Sequence, residues 1–233
     1  MAKTSNRVCG LRLWIFALAS LVLAGCSTTS VDPYEDFNRS VMSFNDTADK
    51  YILKPVAQGY QFILPDPVPN LVANVFSNLG DPYIAFNQLL QGKGRLAASD
   101  LGRFVVNSTV GVGGLFDVAD GWGMEKHEED FGQTLGVWGF ESGPYLVLPL
   151  IGPSGITGIP SAYFASFATP QRYIEHIPTR NAVWAVEVIS LREQLLSSEA
   201  LISGDRYTFI RDAYLQRREY LINDGVVEDA FLD

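Results

Sequence analysis

Apolar positions recur at helical spacing through most of the chain. Between positions 34 and 53, Phe37, Val41, Phe44, Ala48 and Tyr51 fall at offsets of 0, 4, 7, 11 and 14, which sets them on one face of a single helix. Asp32-Pro33 in front of them has the residue types that cap and open a helix. Val68, Leu71, Val72, Val75, Phe76 and Leu79 repeat the pattern between the turn Pro65-Asp66-Pro67 and a break expected at Asp81-Pro82. Further helices are expected over 55–63, 83–91, 94–107, 180–197 and 205–222, the last carrying Tyr207, Ile210, Tyr214 and Leu221 on one stripe. Strand patterning is confined to the apolar run 145–150 and to 115–119, which could join it in a hairpin. The pattern predicts a mostly helical protein. It excludes a transmembrane barrel, which needs many alternating segments.

One segment interrupts the helical pattern. From Asn107 to Gly123 the chain runs through Gly111, Gly113, Gly114, Phe116, Asp117 and Gly121, a glycine density that permits backbone angles and close approaches denied to other residues. A phosphate-binding loop would need Lys-Ser/Thr after its glycines, and a dinucleotide fingerprint would need G-x-G-x-x-G after a strand; the segment fits neither. It reads either as a tight hairpin or as a mobile or pore-lining loop.

The N-terminus has a different pattern. Lys3, Arg7 and Arg12 precede an apolar run from Leu13 to Ala24 broken only by Ser20. This is the charged-then-apolar layout of a secretory signal, and the run is too short for a spanning helix, which needs about 20 residues. Leu23-Ala24-Gly25-Cys26 resembles the bacterial lipoprotein box, in which the Cys thiol is acylated and cleavage leaves that Cys first. We therefore expect a signal peptide at 1–25 and a mature domain at 26–233, held to a membrane by a lipid on Cys26. Cys9 leaves with the signal, so the mature chain could form no internal disulfide despite an oxidising address. Ser27 follows the Cys where Asp marks inner-membrane retention, which favours the periplasmic face of the outer membrane in a Gram-negative cell.

Charge narrows the partners. The full chain carries a formal net charge of −9, and loss of a leader with three basic and no acidic residues makes the remainder more acidic still. Binding to nucleic acid or to anionic headgroups by charge is disfavoured, so membrane contact must rest on apolar burial and the acyl anchor.

Chemistry is sparse. His127 and His176 are the only histidines, and there is no G-x-S-x-G elbow; Ser154 in Gly152-Pro-Ser-Gly155 lacks that motif. The run Glu125-Lys-His-Glu-Glu-Asp130 lacks the second His of H-E-x-x-H and reads as a solvated turn. No catalytic residue, metal site or cofactor is expected. His176 reads as a surface or turn histidine.

A family resemblance completes the reading. Asp32-Pro33-x-Glu35-x-Phe37-Asn38-Arg39, Phe44-Asn45, Lys54-Pro55-Val56, Asn87-x-x-Leu90-Gln91-Gly92 and Arg103-Phe104-x-x-Asn107 are similar to the VacJ/MlaA family of outer-membrane lipoproteins. So are Gly111-x-Gly113-Gly114-x-Phe116-Asp117-x-Ala119, Phe131-Gly132-x-Thr134-Leu135-Gly136, Gly143-Pro144-Tyr145-x-x-Leu148-Pro149 and Arg211-x-Ala213-Tyr214-x-Gln216-Arg217. The resemblance covers nearly the whole mature chain. It implies a mostly α fold, a ring-like bundle of amphipathic helices lying in the inner leaflet around a central channel, with a short glycine-rich hairpin. Members of such a family remove phospholipids mislocalised to the outer leaflet and pass them to a soluble periplasmic lipid carrier; trimeric outer-membrane porins are their partners.

The resemblance gives the polar and apolar faces a physical role. A phospholipid headgroup cannot cross about 30 Å of hydrocarbon without a large desolvation cost, which a polar channel removes. Amphipathic helices can bury one face in acyl chains while other residues line the path. Phe37, Phe44, Phe76 and Phe104 are then lipid-facing or core positions. On this reading Asn107, Gly111, Gly113, Gly114, Phe116 and Asp117 form a gating loop beside the channel. The preceding helix is expected to meet the porin through Leu101, Arg103, Phe104 and Val106. A structural porin-associated lipoprotein and a lipid-hydrolysing enzyme are the rival readings.

Overall fold

The computed structural model describes residues 32–225, so the signal segment and Cys26 lie outside the described residues. Helix α1 (Glu35–Ala48) runs through a wide π-type turn (Asp49–Leu53) into α2 (Lys54–Ile63). Pro55 explains the turn: lacking an N–H, it leaves a carbonyl one turn back without its donor, and widening the helix there absorbs the defect. The helix starts at Glu35 with Tyr34 at its cap and no capping side-chain hydrogen bond, not at Asp32-Pro33.

The break expected at Asp81-Pro82 does not occur. Helix α3 (Val68–Leu90) passes through Pro82 without interruption. A mid-helix proline costs about 3 kcal/mol. Here Asn78, Asp81, Ile84, Ala85 and Gln88 are all buried around it. Packing of α3 against α4 (Gly94–Thr109) offsets the lost hydrogen bond.

Two short helices follow, α5 (Val118–Gly121) and α6 (Phe131–Val137), each capped by the aspartate before it. The hairpin is made by β1 (Tyr145–Leu148) and β2 (Gly152–Gly155), antiparallel with Tyr145 opposite Gly155 and Leu148 opposite Gly152. Residues 115–119 take no part in it; they turn into α5. Helix α7 (Gly158–Ala168), a 3-10 turn (Pro170–Tyr173), α8 (Ile177–Gln194), a second 3-10 turn (Ser197–Leu201) and α9 (Arg206–Ile222) complete the described chain. The sequence pattern had no signal for α7, whose apolar residues surround it on all sides.

Packing from Tyr34 onward closes a circuit. α1 packs on β1, β2 on α9, α9 on α6, α6 on α3, α3 on α8 and α8 on α2, which returns through the wide turn to α1. Ion pairs fasten the joints. Arg192 on α8 chelates Asp49 in the wide turn through Nε at 2.6 Å and Nη2 at 2.9 Å, and also binds Glu199, which in turn accepts from Lys54 at 2.5 Å. The apolar core is small: Met42, Tyr145, Val147 and Tyr207, with Val41, Ile210, Tyr214 and Leu215 against them.

Helix faces are inverted relative to a water-soluble bundle. Phe37, Phe44 and Tyr51, on the apolar stripe of the first helix, are 56%, 55% and 71% exposed, whereas Asn38, about 100° around the helix from Phe37, is fully buried. Phe62 at the end of α2 is 91% exposed. Among the described residues, the buried side chains are more often polar or charged than hydrophobic. A soluble protein minimises exposed apolar area, and contiguous apolar patches of this kind mark a membrane or partner surface. No described helix is long and apolar enough to cross a membrane.

Candidate functional site

The polar interior is concentrated where α3 meets α4. On α3, Asn74, Asn78, Asp81 and Gln88 lie at offsets of 0, 4, 7 and 14, one helical face. On α4 the buried residues are Ala97, Asp100, Arg103 and Asn107. Gln88 Nε2 donates to Asp100 Oδ2 at 2.7 Å, and Asn78 Nδ2 donates to Ser108 Oγ at 2.9 Å. The seam between the helices is therefore held by amides and carboxylates rather than by methyl groups.

A charged strap covers this seam. The run 125–130, expected to be a solvated turn, is instead drawn into ion pairs. Lys126 Nζ donates to Asp81 Oδ1 at 2.6 Å and to the carbonyl of Ser77 at 2.8 Å. His127 Nδ1 lies 2.9 Å from Asp100 Oδ2. Buried Glu129 accepts from Gln91 at 2.8 Å and Lys93 at 3.0 Å, while Asp130 caps α6 and pairs with Arg218 at 2.6 Å. Glu125, Lys126 and Glu128 are exposed as expected, but Glu129 is buried, and the expectation missed that the partners of the run lie on helices distant in sequence. His176 does sit exposed at a helix start, 2.8 Å from Thr179 Oγ1.

Burial and pairing set the charge states. Burial pushes the Asp81 carboxyl above its ordinary value, with Lys126 countering only part of that push. Burial also raises Asp130, but Arg218 and the Gln133 amide outweigh it and leave the carboxyl below the usual range. Asp117 behaves likewise: the hydrogen bonds from Asn107, the Asp120 amide and Arg103 overcome its desolvation and lower it.

The glycine-rich segment is a string of tight turns stapled to the end of α4. Asn107 does most of the stapling. Its Oδ1 accepts from the Ala119 amide at 2.9 Å, its Nδ2 donates to Asp117 Oδ1 at 2.9 Å, and its carbonyl accepts from Gly114 N at 2.8 Å. Phe116 N donates to the Gly111 carbonyl at 3.0 Å, and the Phe116 ring is exposed. Gly113 and Gly114 have φ of +72° and +88°, as does their neighbour Val112 at +54°, an outlier for a β-branched residue. Gly111 is required for a different reason: a Cβ there would run into the Phe116 and Asn107 carbonyl oxygens.

Of the four positions expected at a partner surface, Arg103 is misplaced. It is 1% exposed, with one arm on the Met124 carbonyl and the other 2.7 Å from Asp117 Oδ2. It holds the glycine-rich segment instead of facing outward, because a buried guanidinium must find carboxylate and carbonyl partners. Phe104 and Val106 are half-buried, and the outward face of α4 is carried by Leu101 and Val105. The structure thus joins Arg103, Asn107 and Asp117 in one cluster. Sequence reasoning missed Asp81, Gln88, Asp100 and Glu129, although polar residues at helical spacing on α3 were a signal for them. No group of residues suited to hold a metal ion occurs among the described residues.

Comparison with known proteins agrees with this architecture. The family model "MlaA lipoprotein" matches residues 30–221. An Escherichia coli K12 protein named intermembrane phospholipid transport system lipoprotein MlaA is 34% identical over 232 residues, covering 92% of this chain and 90% of the relative. A Haemophilus influenzae protein of the same name is 30% identical over 224 residues, covering 89% of each. A chain solved in work on the structural basis for maintenance of bacterial outer membrane lipid asymmetry superimposes with a TM-score of 0.71 at 34% identity, covering 82% of this chain and 99% of that one. The apolar exterior, the polar seam and these matches lead to one conclusion: the chain belongs to the MlaA lipoprotein family.

Proposed function

We propose that this protein moves phospholipids intact out of the outer leaflet of the outer membrane and hands them to a soluble periplasmic carrier for return transport, so maintaining the lipid asymmetry of that membrane. The observation that carries the reading is the inversion of helix faces on a closed circuit. Phe37, Phe44, Tyr51 and Phe62 point outward while Asn38, Asp81, Asp100, Arg103 and Asn107 are buried. A circuit with that polarity can rest its apolar rim in acyl chains and offer headgroups a polar path, which spares them the several kcal/mol of desolvation that free flipping demands. The names carried by the family relatives, intermembrane phospholipid transport lipoproteins, point the same way.

The protein acts from the periplasmic side, anchored by a lipid on Cys26, beside a trimeric porin that meets the outward face of α4. Acyl chains contribute roughly 0.8 kcal/mol per buried methylene, so more than one chain on a single residue holds it firmly. Intact transfer is preferred to hydrolysis because His127, held by Asp100, has no serine, threonine or cysteine hydrogen-bonded to it among the described residues, and His176 with Thr179 is an exposed local pair at a helix start. Purified protein in a bilayer, mixed with the carrier, should yield carrier loaded with intact phospholipid; stoichiometric lysolipid or free fatty acid would show an enzyme instead.

A further inference from the structure

A groove away from the α3–α4 seam carries charges of both signs. It is bounded by the end of α7, the 3-10 turn Pro170–Tyr173 and the first half of α8, and encloses about 550 Å3. Arg172, Arg180, Trp184, Gln171 and Glu187 line it. The Arg180 guanidinium has no ion-pair or hydrogen-bond partner among the described residues. Arg172 donates through Nη1 to Ser166 Oγ at 2.9 Å and lies 3.9 Å over the Phe167 ring, which fixes its plane. Both guanidiniums line the groove.

The groove also has acceptors. Gln171 Nε2 donates to Glu187 Oε2 at 2.7 Å, and Gln171 is only 9% exposed. Its Oε1 is buried with no donor. An unmet buried acceptor is unfavourable, and Gln171 lines the groove, so a ligand that brings an N–H or O–H to this residue would relieve it. A second, small crevice of about 80 Å3 shares Ala165, Thr169, Gln171 and Glu187 with the groove and continues between Phe76 and Leu79 of α3. Its wall is largely apolar.

Inorganic phosphate could satisfy the two arginines but offers nothing to Glu187 and little to Gln171 Oε1. An anionic glycerol headgroup brings hydroxyl donors but no cation for Glu187. A phosphoethanolamine headgroup matches every end: phosphodiester to the guanidiniums, ammonium to carboxylate, amide oxygen and the Trp184 face. Resting on the transport reading above, we propose that this groove is a headgroup site for a zwitterionic aminophospholipid. Arg180 and Arg172 hold the phosphate, and Glu187, Gln171 and Trp184 hold the ammonium.

Calorimetric titration of the full chain in maltoside micelles tests this with three probes: dihexanoyl phosphatidylethanolamine, dihexanoyl phosphatidylglycerol and inorganic phosphate. The ethanolamine lipid should bind about tenfold tighter than the glycerol lipid, and phosphate more weakly than either. Arg180→Gln, which breaks no hydrogen bond or ion pair among the described residues, should weaken both lipids by about tenfold or more. Glu187→Gln retains an acceptor for Gln171 and should bring the ethanolamine lipid down to the glycerol lipid. Phosphate binding as tightly as lipid, Arg180→Gln binding as the parent does, or a preference that survives Glu187→Gln would each overturn the proposal. Transfer of intact lipid by the unmodified protein is read in parallel. Transfer that persists with an unaltered Arg180→Gln titration sinks the site and leaves the function; selective binding without any transfer sinks the function and leaves the site.

Discussion

Asn38 is hydrogen-bonded to the backbone of Val147 as a neighbouring strand would be: its Oδ1 accepts from the Val147 amide at 2.9 Å while its Nδ2 donates to the Tyr145 carbonyl at 3.0 Å. Two turns along the same helix, Asn45 repeats the device, donating to the Leu148 carbonyl at 3.0 Å and accepting from the Leu150 amide at 2.7 Å. One edge of a two-stranded hairpin is thereby paired by side chains of α1, which holds β1 in the circuit and leaves no open strand edge there.

Asn38→Ala should therefore be costly. It strands a carbonyl and an amide in a fully buried place, and each unmet group costs about 1–3 kcal/mol. We expect a loss of about 3 kcal/mol by urea denaturation, with Asn38→Asp intermediate because it still accepts from Val147 but cannot donate to Tyr145. Asn45→Ala should lose about 1 kcal/mol, since Leu150 is exposed and water can replace the amide. Equal losses at the two positions would contradict the account.

The two asparagines also show what a sequence can and cannot reveal. Helical spacing located α1, α4, α8 and α9 to within a few residues because an apolar stripe reports period whatever it faces. It did not report which side was buried: Phe37 and Asn38 are neighbours, and only the packing shows that the asparagine is inside. Pro82 misled because local propensity marks a helix end, while the length of the α3–α4 contact is a tertiary fact. The strap at 125–130 misled for the same reason, since Asp81, Asp100 and Arg218 are its partners only after folding. The glycines and Asn107 were legible as a special segment, but the buried guanidinium that holds them, Arg103, looked like a surface cation.

The Arg103 cluster makes two predictions that separate holding from docking. Removing Asp117 leaves a nearly fully buried cation without its carboxylate, which costs about 3 kcal/mol in such settings, so Asp117→Ala should lower stability by about that amount. Photocrosslinkers at Leu101 and Val105 should capture a porin, whereas one at Arg103 should disturb folding before it captures anything. Capture from Arg103 in a normally stable protein would reverse the assignment.

Acid should loosen the fold through opposed carboxylates. Asp117 and Asp130 sit below the ordinary value of 3.8, so the stability they contribute is present above that value and is lost as pH falls through their folded pKa. Asp81 is raised, so its contribution is present below the ordinary value and is lost as pH rises through its folded pKa. Glu199, paired with Lys54 and Arg192, and Asp205, bonded to the Thr208 amide and Arg39, are lowered as well, so the depressed carboxylates outnumber the raised one. The urea midpoint should accordingly drop from about pH 5 downward, as pH falls through the ordinary carboxylate value toward the folded pKa of the depressed groups. Asp130→Asn should flatten that drop and Asp81→Asn, which removes the opposing slope, should steepen it. A midpoint independent of pH in all three proteins would remove the carboxylates from the account.

The last prediction concerns gating, and the glycines are not equivalent in testing it. A Cβ at Gly111 meets two backbone oxygens, and one at Gly114 meets the Asn78 side chain, so substitutions there confound function with folding. Gly113 faces open space, and at φ +72° its replacement by Val adds only conformational strain, on the order of 1–3 kcal/mol. Val112 already bears such strain at φ +54°, so Val112→Gly should relieve it, by more than the few tenths to 1 kcal/mol of extra freedom that glycine gives competing conformations. One change penalises the observed turn and the other favours it. If the segment sets whether lipid passes, the two variants should move outer-leaflet phospholipid in opposite directions at normal folded abundance, since shifts of this size reweight states separated by a few kcal/mol. Whether Gly113→Val opens or jams the path follows from which state the observed turn belongs to, and the detergent sensitivity of cells carrying each variant reports that directly. Normal lipid asymmetry in both variants, with both proteins abundant, would make the segment a structural turn and nothing more.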